Sequence, residues 1–170
     1  SGKRCRFYLD VDTPVRSASD LQALVSITDS VLHAHFRNLD HVIKIPAEAL
    51  RNWNVKIDRL ADKYVCVCLA SPVGDSTFKS HLIWPFIRMT QQDADALLAK
   101  IRQLVDKTQF PDSGKIEHPR TLRAYLCDRF ERNTEGVLQP CNRPYVFRAV
   151  FRDDGKIMRG DADPDPDYPF

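Results

Sequence analysis

The sequence "YVCVCLASPVGDSTFKSHLIWPFI", residues 64–87, contains two apolar runs separated by a segment with proline and glycine. The first run, residues 64–70, is apolar at every position, which is typical of a strand buried on both faces. The second run, residues 78–87, is rich in aromatic and β-branched residues, which favour strands. The intervening residues 71–77 predict a turn, so we expect the two runs to pair as an antiparallel hairpin in the middle of a sheet.

Two amphipathic segments lie on either side of this hairpin in the sequence. Residues 19–37 predict a helix with Ser19 as its N-cap, and residues 90–107 predict a second helix with Thr90 as its N-cap. In both segments apolar residues recur at helical spacing and predict the face that packs on the sheet. These residues are Leu21, Leu24, Val25, Leu32 and Phe36 in the first helix, and Ala94, Leu97, Leu98, Ile101, Leu104 and Val105 in the second.

The rest of the chain predicts further strands and one more helix. Pro14 is expected to end the first strand. The predicted strands are 5–11, 41–46 and, as a hairpin around an Asp-Gly turn, 143–158, while residues 120–131 have a helical pattern. Two strong helices between β-rich runs predict an α+β fold, with a mixed, largely antiparallel sheet and helices on one face. Residues 1–160 are expected to form one module, followed by an acidic, Pro-rich tail at 161–170.

Composition narrows the class of protein. Hydrophobic residues make up 43% of the chain, charged residues 28%, and the net charge is only +2, so no global basic field indicates nucleic acid. No apolar run approaches the length of a membrane span, and we expect no membrane partner. The five cysteines include no CxxC pair, which predicts reduced thiols and an intracellular, reducing compartment.

Two aspartates, Asp10 and Asp12, end the apolar stretch "CRFYLDVDTP", residues 5–14. Residues i and i+2 of a strand point to the same side, so the two carboxylates are expected to converge. Such a pair suits one or two hard cations with oxygen ligands. The alternative is that Asp12 opens an Asx-turn before Thr13 and Pro14.

Three polar residues, Lys79, Ser80 and His81, begin the second strand of the central hairpin. Their position just after a turn would place an ammonium and an imidazole beside a phosphate group. The alternative is that His81 is a packed core histidine.

These two motifs together resemble the archaeo-eukaryotic primase superfamily, and most closely its primase-polymerase branch and the primases of large DNA viruses. The pattern is an "hhhDhD" strand, then about seventy residues later a polar-x-His-Leu-Ile-aromatic strand, then a long helix. The resemblance covers roughly residues 5–155 and implies an RRM-like catalytic module. It implies that Asp10 and Asp12 bind metal and that His81 contacts the phosphates of an incoming nucleotide. Lys79 stands where the family has serine, and Ser80 fills the variable position.

The resemblance also implies a third motif, whose best match is "LCDRFERNTEGVLQPCNRPYVFRAVFRDDG", residues 126–155. It makes Asp128 the third metal carboxylate and Arg143 a contact to phosphate or template. The local pattern instead makes Asp128 an exposed helix residue. Asp153 or Asp154 is a second candidate for the third carboxylate, although "RDDGK" also fits a hairpin turn.

The function that the resemblance implies is template-dependent nucleotidyl transfer by a primase or DNA-directed polymerase that uses Mg²⁺ or Mn²⁺. The implied partners are nucleoside triphosphates, a single-stranded DNA template and a helicase or other replication proteins. Family members usually carry an N-terminal α/β module before the DxD strand, and nine residues precede Asp10 here.

Two alternatives stay open at the level of sequence. One is a degenerate, non-catalytic primase-like module that binds nucleic acid or protein. The other is a phosphatase of the haloacid-dehalogenase type, because "LDVDTPV", residues 9–15, resembles its first motif and "GDADPD", residues 160–165, resembles its late acidic motif. That alternative requires a parallel, doubly wound sheet.

Overall fold

A computed structural model of the chain describes residues 3–35, 64–74, 77–119, 128–151 and 157–159. The predicted strand at 41–46 and the tail at 161–170 lie outside these ranges. The strands are β1 (Arg4–Val15), β2 (Cys66–Gly74), β3 (Thr77–Thr90), β4 (Ile116–Glu117), β5 (Phe130–Arg132), β6 (Leu138–Pro140), β7 (Val146–Phe151) and β8 (Ile157–Arg159); the helices are α1 (Ala18–His35), α2 (Gln91–Leu104) and a 3₁₀ turn, Ser113–Lys115.

Six of these strands form one sheet in the order β4-β1-β3-β2-β7-β8, and every described pairing in it is antiparallel. The first six major elements follow the order β-α-β-β-α-β, with β1 and β3 side by side at the centre. This is the split βαβ arrangement of ferredoxin-like folds. The predicted α+β class, the β2–β3 hairpin and the pairing of β7 with β8 are therefore confirmed.

One face of the sheet forms the core against the two helices. In β1 every second residue from Phe7 to Val15 is buried, as the two-residue repeat of a strand requires. α1 and α2 contact each other as well as the sheet, so both cover the same face. The buried side chains of α2 are Ala94, Leu97, Leu98 and Ile101.

Leu104 was predicted to join this stripe and does not. Its side chain is 59% exposed, whereas Val105 is buried. The helix ends at Leu104 because Val105 takes an extended conformation, with ψ 143°. The change in backbone direction turns Val105 inward and leaves Leu104 outside the helical stripe.

The two helix starts differ in how well the sequence predicted them. Thr90 caps α2 as expected, since its hydroxyl accepts a hydrogen bond from the Asp93 amide at 3.2 Å. α1 begins at Ala18, so Ser19 lies inside the helix and is not its N-cap. Asp20 serves the helix start instead, because its Oδ2 accepts from the amides of Arg16 and Ser17 at 3.0 and 3.2 Å.

Prolines lie inside two strands, at Pro14, where a break was expected, and at Pro85, which the predicted strand 78–87 already contained. β1 runs through Pro14, and its register with β3 is irregular between Val11 and Val15. β3 runs through Pro85, where the pairing jumps from Trp84 to Arg88. A bulge leaves residues without ladder partners, so a missing N–H costs little there. The predicted turn at 71–77 is also shorter than expected, because β2 continues to Gly74.

A second, two-stranded sheet of β5 and β6 replaces part of the predicted helix 120–131. Residues 130–132 are a strand, and residues 120–127 lie outside the described ranges. Gly136, at φ 79°, closes the turn, and its amide donates to the Asn133 carbonyl at 2.9 Å. The turn chemistry of "NTEG" between two short β-prone runs overrides the helical pattern.

Candidate active site

The two aspartates of β1 and the polar residues of β3 meet on the sheet face opposite the helices. Asp10 pairs directly with His81, and Val11 pairs with Ser80. His81 Nε2 lies 3.6 Å from Asp10 Oδ1, well inside the distance of about 10 Å that one bound triphosphate could bridge. Asp12 lies two residues further along β1 and therefore faces the same side.

Lys79 contacts Asp12 directly. Its ammonium forms an ion pair and hydrogen bond with Asp12 Oδ1. The side chains of Lys79 and Asp12 are 29% and 49% exposed, so solvent still reaches both. The sequence predicted Lys79 beside a phosphate; here it neutralises the more exposed of the two carboxylates.

His81 is almost completely covered, with a side chain 2% exposed. The ring of Tyr145 stacks on its imidazole, with ring centroids 3.6 Å apart and planes inclined by 14°. In this arrangement His81 presents Nε2 to Asp10 rather than to solvent. Tyr145 was missed at the level of sequence, because nothing in "RPYVF" distinguishes it from an ordinary strand aromatic.

Ser80 was predicted to bind nucleotide, and the structure places it on the other face of the sheet, away from Asp10 and Asp12. Adjacent strand residues point to opposite faces, so Ser80 points away from His81. It is fully buried on the sheet face that packs against the helices. A nucleotide bound on the sheet face that carries Asp10 and Asp12 would not contact the Ser80 side chain.

Among the described residues, three backbone amides donate to the Asp128 carboxylate. Its Oδ1 accepts from the amides of Arg129 and Arg143 at 2.7 and 3.0 Å, and its Oδ2 accepts from the Asn142 amide at 2.7 Å. Within the described ranges, no three or more His, Cys, Asp or Glu side chains are arranged to hold a metal ion. The structure shows the Asp128 carboxylate engaged by these backbone amides, and its role as a third metal carboxylate stays a prediction. Asp153 and Asp154 lie outside the described residues.

Glu117 is an acidic residue that was not predicted from the sequence to lie near the site. It lies on the edge strand β4 directly opposite Asp10, so its side chain projects from the same face. It is exposed and does not converge with Asp10 and Asp12 here. The signal that points to it is the short "KIEH" stretch after the second helix, at the place where a β-α-β-β-α-β fold has its last strand.

An open pocket of about 80 Å³ lies next to Asp12. Three basic residues, Lys79, Arg129 and Arg143, border it. The complete lining is Asp12, Ser71, Pro72, Val73, Lys79, Arg129, Arg143 and Tyr145. The predicted position of Arg143 near a phosphate site is thus compatible with the structure.

Glu131 partly offsets the charge of this pocket. Its Oε1 lies 3.0 Å from Arg129 Nε and 3.9 Å from an Arg143 terminal nitrogen. All three side chains are more than 40% exposed, so these ion pairs are weak and an incoming anion can replace them.

Comparisons with models of protein families, with curated proteins and with solved structures found no match to this chain. None of the helices in the described part of the chain is long and apolar enough to cross a membrane.

Proposed function

We propose that this chain is the catalytic module of a primase or related polymerase, which transfers a nucleotide to a 3′-hydroxyl under the direction of a template. The observation that supports this most is the pairing of two motifs that are about seventy residues apart in the sequence. Asp10 and Asp12 on β1 meet His81 and Lys79 on β3, on one face of the sheet. The primase resemblance requires this juxtaposition.

The carboxylates fit a divalent cation of the hard, oxygen-binding type. Mg²⁺ is usually held by one or two protein carboxylates together with substrate phosphates, so Asp10 and Asp12 suffice as the protein's share. Glu117, opposite Asp10, is the nearest candidate for a third carboxylate by sheet register. When bound, Mg²⁺ or Mn²⁺ would lower the pKa of the attacking hydroxyl and neutralise the leaving pyrophosphate.

Lys79 has two roles in this proposal. Without a cation it holds Asp12 and relieves the repulsion between neighbouring carboxylates. When a cation occupies Asp12, the flexible lysine side chain is released toward the adjoining pocket. There its ammonium joins Arg129 and Arg143 in binding the triphosphate.

His81 acts on Asp10 in this mechanism. Tyr145 holds the imidazole beside the Asp10 carboxylate, with Nε2 3.6 Å from Oδ1, and this packing limits the positions that the carboxylate can take. Its predicted direct contact with phosphate would require Tyr145 to move.

The fold argues against the phosphatase alternative, whereas one contact favours the non-catalytic module. The phosphatase reading needs a parallel sheet, whereas every described pairing here is antiparallel. A non-catalytic module is favoured by one observation, the Lys79–Asp12 ion pair, which satisfies the carboxylate without metal.

The experiment is nucleotide incorporation on a primed single-stranded DNA template with Mg²⁺ or Mn²⁺, using the full-length protein. We expect Asp10→Ala and Asp12→Ala each to abolish incorporation and to weaken Mn²⁺ binding. Asp95→Ala, an exposed aspartate of α2, is the matched control and should incorporate normally. Incorporation that survives in the Asp10→Ala/Asp12→Ala double variant would overturn the proposal, and Mn²⁺-independent template binding by an inactive wild type would favour the non-catalytic module.

A further inference from the structure

The Asp128 carboxylate lies where the chain leaves the β5–β6 hairpin and returns toward the candidate site. β6 ends at Pro140, and the chain then turns back toward the main sheet through Asn142, whose φ is 54°. This left-handed conformation is uncommon for a residue with a side chain. The amides of Asn142 and Arg143 both donate to the Asp128 carboxylate, which fixes the turn from one side.

Ser71 fixes the same turn from the other side. Its hydroxyl donates to the Arg143 carbonyl at 2.5 Å, which ties the turn to β2 of the main sheet. Residue 144 is proline, which restricts the backbone of Arg143 and stiffens the link to the next residue. That next residue is Tyr145, so the orientation of its ring depends on contacts at both ends of this short segment.

Tyr145 connects this turn to the sheet face that carries Asp10 and Asp12. Its ring covers the imidazole of His81 with a centroid separation of 3.6 Å, and His81 Nε2 lies 3.6 Å from Asp10 Oδ1. A continuous set of contacts thus runs from Asp128 through the 142–145 segment to Asp10. The rings of His81 and Tyr145 are almost completely buried.

We propose that Asp128 is a positioning residue, which holds Tyr145 on His81 and thereby fixes the Asp10 carboxylate for its cation. The part of this inference that concerns the cation rests on the proposed function. The part that concerns the contacts from Asp128 to His81 does not. This positioning role replaces the expectation that Asp128 is itself a ligand. Residues bonded directly to a metal ligand typically change metal affinity by about 10–100-fold when they are removed, and we expect Asp128, which acts through further contacts, to be at the lower end of this range.

The first test measures the stacking of Tyr145 on His81 in the absence of metal and nucleotide. A ring stacked on an imidazole shifts the resonances of the imidazole protons, so the His81 Hε1 signal in a proton NMR spectrum reports the Tyr145 stack. We expect Asp128→Ala to move this signal most of the way to its position in Tyr145→Leu. Asp112→Ala, an exposed aspartate paired only with the surface residue Lys115 among the described residues, should leave it in place. An unchanged signal in Asp128→Ala overturns the inference.

The second test separates positioning from direct ligation. We expect Asp128→Ala and Tyr145→Leu each to raise the Kd for Mn²⁺ about tenfold, and the double variant to be no worse than Tyr145→Leu alone. A direct ligand would act independently of Tyr145, so additive losses in the double variant overturn the inference. Asp128→Asn keeps one carboxamide oxygen for two of the three amides, and its intermediate effect provides the measurement if Asp128→Ala does not fold.

The two proposals can fail separately. If Asp10→Ala leaves Mn²⁺ affinity unchanged, the proposed function loses its cation site, while the NMR comparison still decides whether Asp128 positions His81.

Discussion

Asp10 and Asp12 each have a partner on β3, His81 for the less exposed carboxylate and Lys79 for the more exposed one. The two partners differ in what they allow. The imidazole is packed and cannot leave without disturbing Tyr145, whereas the lysine is flexible and partly solvated. A cation arriving at this face therefore competes with Lys79 and not with His81.

Replacing Lys79 by alanine tests this competition. An ion pair as exposed as Lys79–Asp12 contributes at most about 1 kcal/mol, so Lys79→Ala should tighten Mn²⁺ binding by up to about fivefold. The same change removes a charged phosphate contact, so affinity for a nucleoside triphosphate should fall about tenfold. Isothermal titration calorimetry measures both, with Lys100→Ala on the exposed side of α2 as control. A parallel weakening of both ligands would contradict the competition.

His118 is a titratable residue outside the candidate site, and its side chain is buried. It is buried at the end of β4, its ring stacks on Tyr8 at 4.4 Å, and Gln91 Nε2 lies 3.2 Å from its Nδ1. Burial lowers the pKa of His118 below its ordinary value of 6.5, partly offset by hydrogen bonding and by Asp95. The folded state consequently binds a proton less readily than the unfolded state.

The stability contributed by neutral His118 is therefore complete above about pH 6.5 and is lost as the pH falls through the lowered pKa. We expect the free energy of unfolding to fall more between about pH 7.5 and about pH 5.5 in the wild type than in His118→Phe, whose ring can stack but cannot titrate. Urea unfolding at the two pH values measures the difference. Equal losses in both proteins would show that His118 does not govern the pH dependence.

At the scale of elements, α2 is the helix whose start is best defined. Thr90 and Asp93 bond reciprocally, because the Thr90 hydroxyl also donates to Asp93 Oδ2 at 2.8 Å. These two hydrogen bonds cap the first turn of α2 directly after the end of β3.

Removing this cap should destabilise the whole protein. We expect Thr90→Ala to lower the free energy of unfolding by about 1 kcal/mol, and Thr90→Ser to lower it by much less, since serine keeps the hydroxyl. Ser30→Ala is the control, because Ser30 is an exposed α1 residue whose hydroxyl, among the described residues, donates to the Ser26 carbonyl of the same helix. Chemical denaturation followed by circular dichroism gives all three values. An effect of Ser30→Ala equal to that of Thr90→Ala would remove the special role of the cap.

At the scale of the whole molecule, the protein is a sheet with two different faces. The helix face is the hydrophobic core, and the opposite face carries the charged site. Cys66 and Cys68 lie on β2 within the core, where burial raises the pKa of Cys66 well above its ordinary value and that of Cys68 to about 12. Both are free thiols, as is the partly exposed Cys141.

Thiol labelling should therefore report global unfolding. We expect iodoacetamide at about pH 8 to modify Cys141 in the native protein, while Cys66 and Cys68 react only as urea unfolds the sheet. Peptide mapping by mass spectrometry distinguishes the individual cysteines. Rapid native labelling of Cys66 or Cys68 would mean that β2 opens locally without unfolding of the core.

The sequence predicted those features that short-range chemistry controls. The β2–β3 hairpin, both helices and the Thr90 cap follow from periodicity and capping within a few residues. The placement of Asp10 and Asp12 on one face follows from the two-residue repeat of a strand, provided the strand is correctly identified. The errors at Pro14 and Leu104 arose where a bulge or a change of backbone direction interrupts a regular repeat.

Only the tertiary structure decided which partners these residues have. The contact of His81 with Asp10, the position of Glu117 opposite Asp10 and the covering of His81 by Tyr145 all join strands far apart in the chain. Register between strands fixes them, and a shift of one residue would send each side chain to the other face. Asp128 shows the same limit, because its identity suggests a ligand, whereas only the tertiary structure shows that the backbone amides of residues 142 and 143 donate to its carboxylate. Sequence specifies the chemistry available at each position, and packing of distant strands selects which of those chemistries is used.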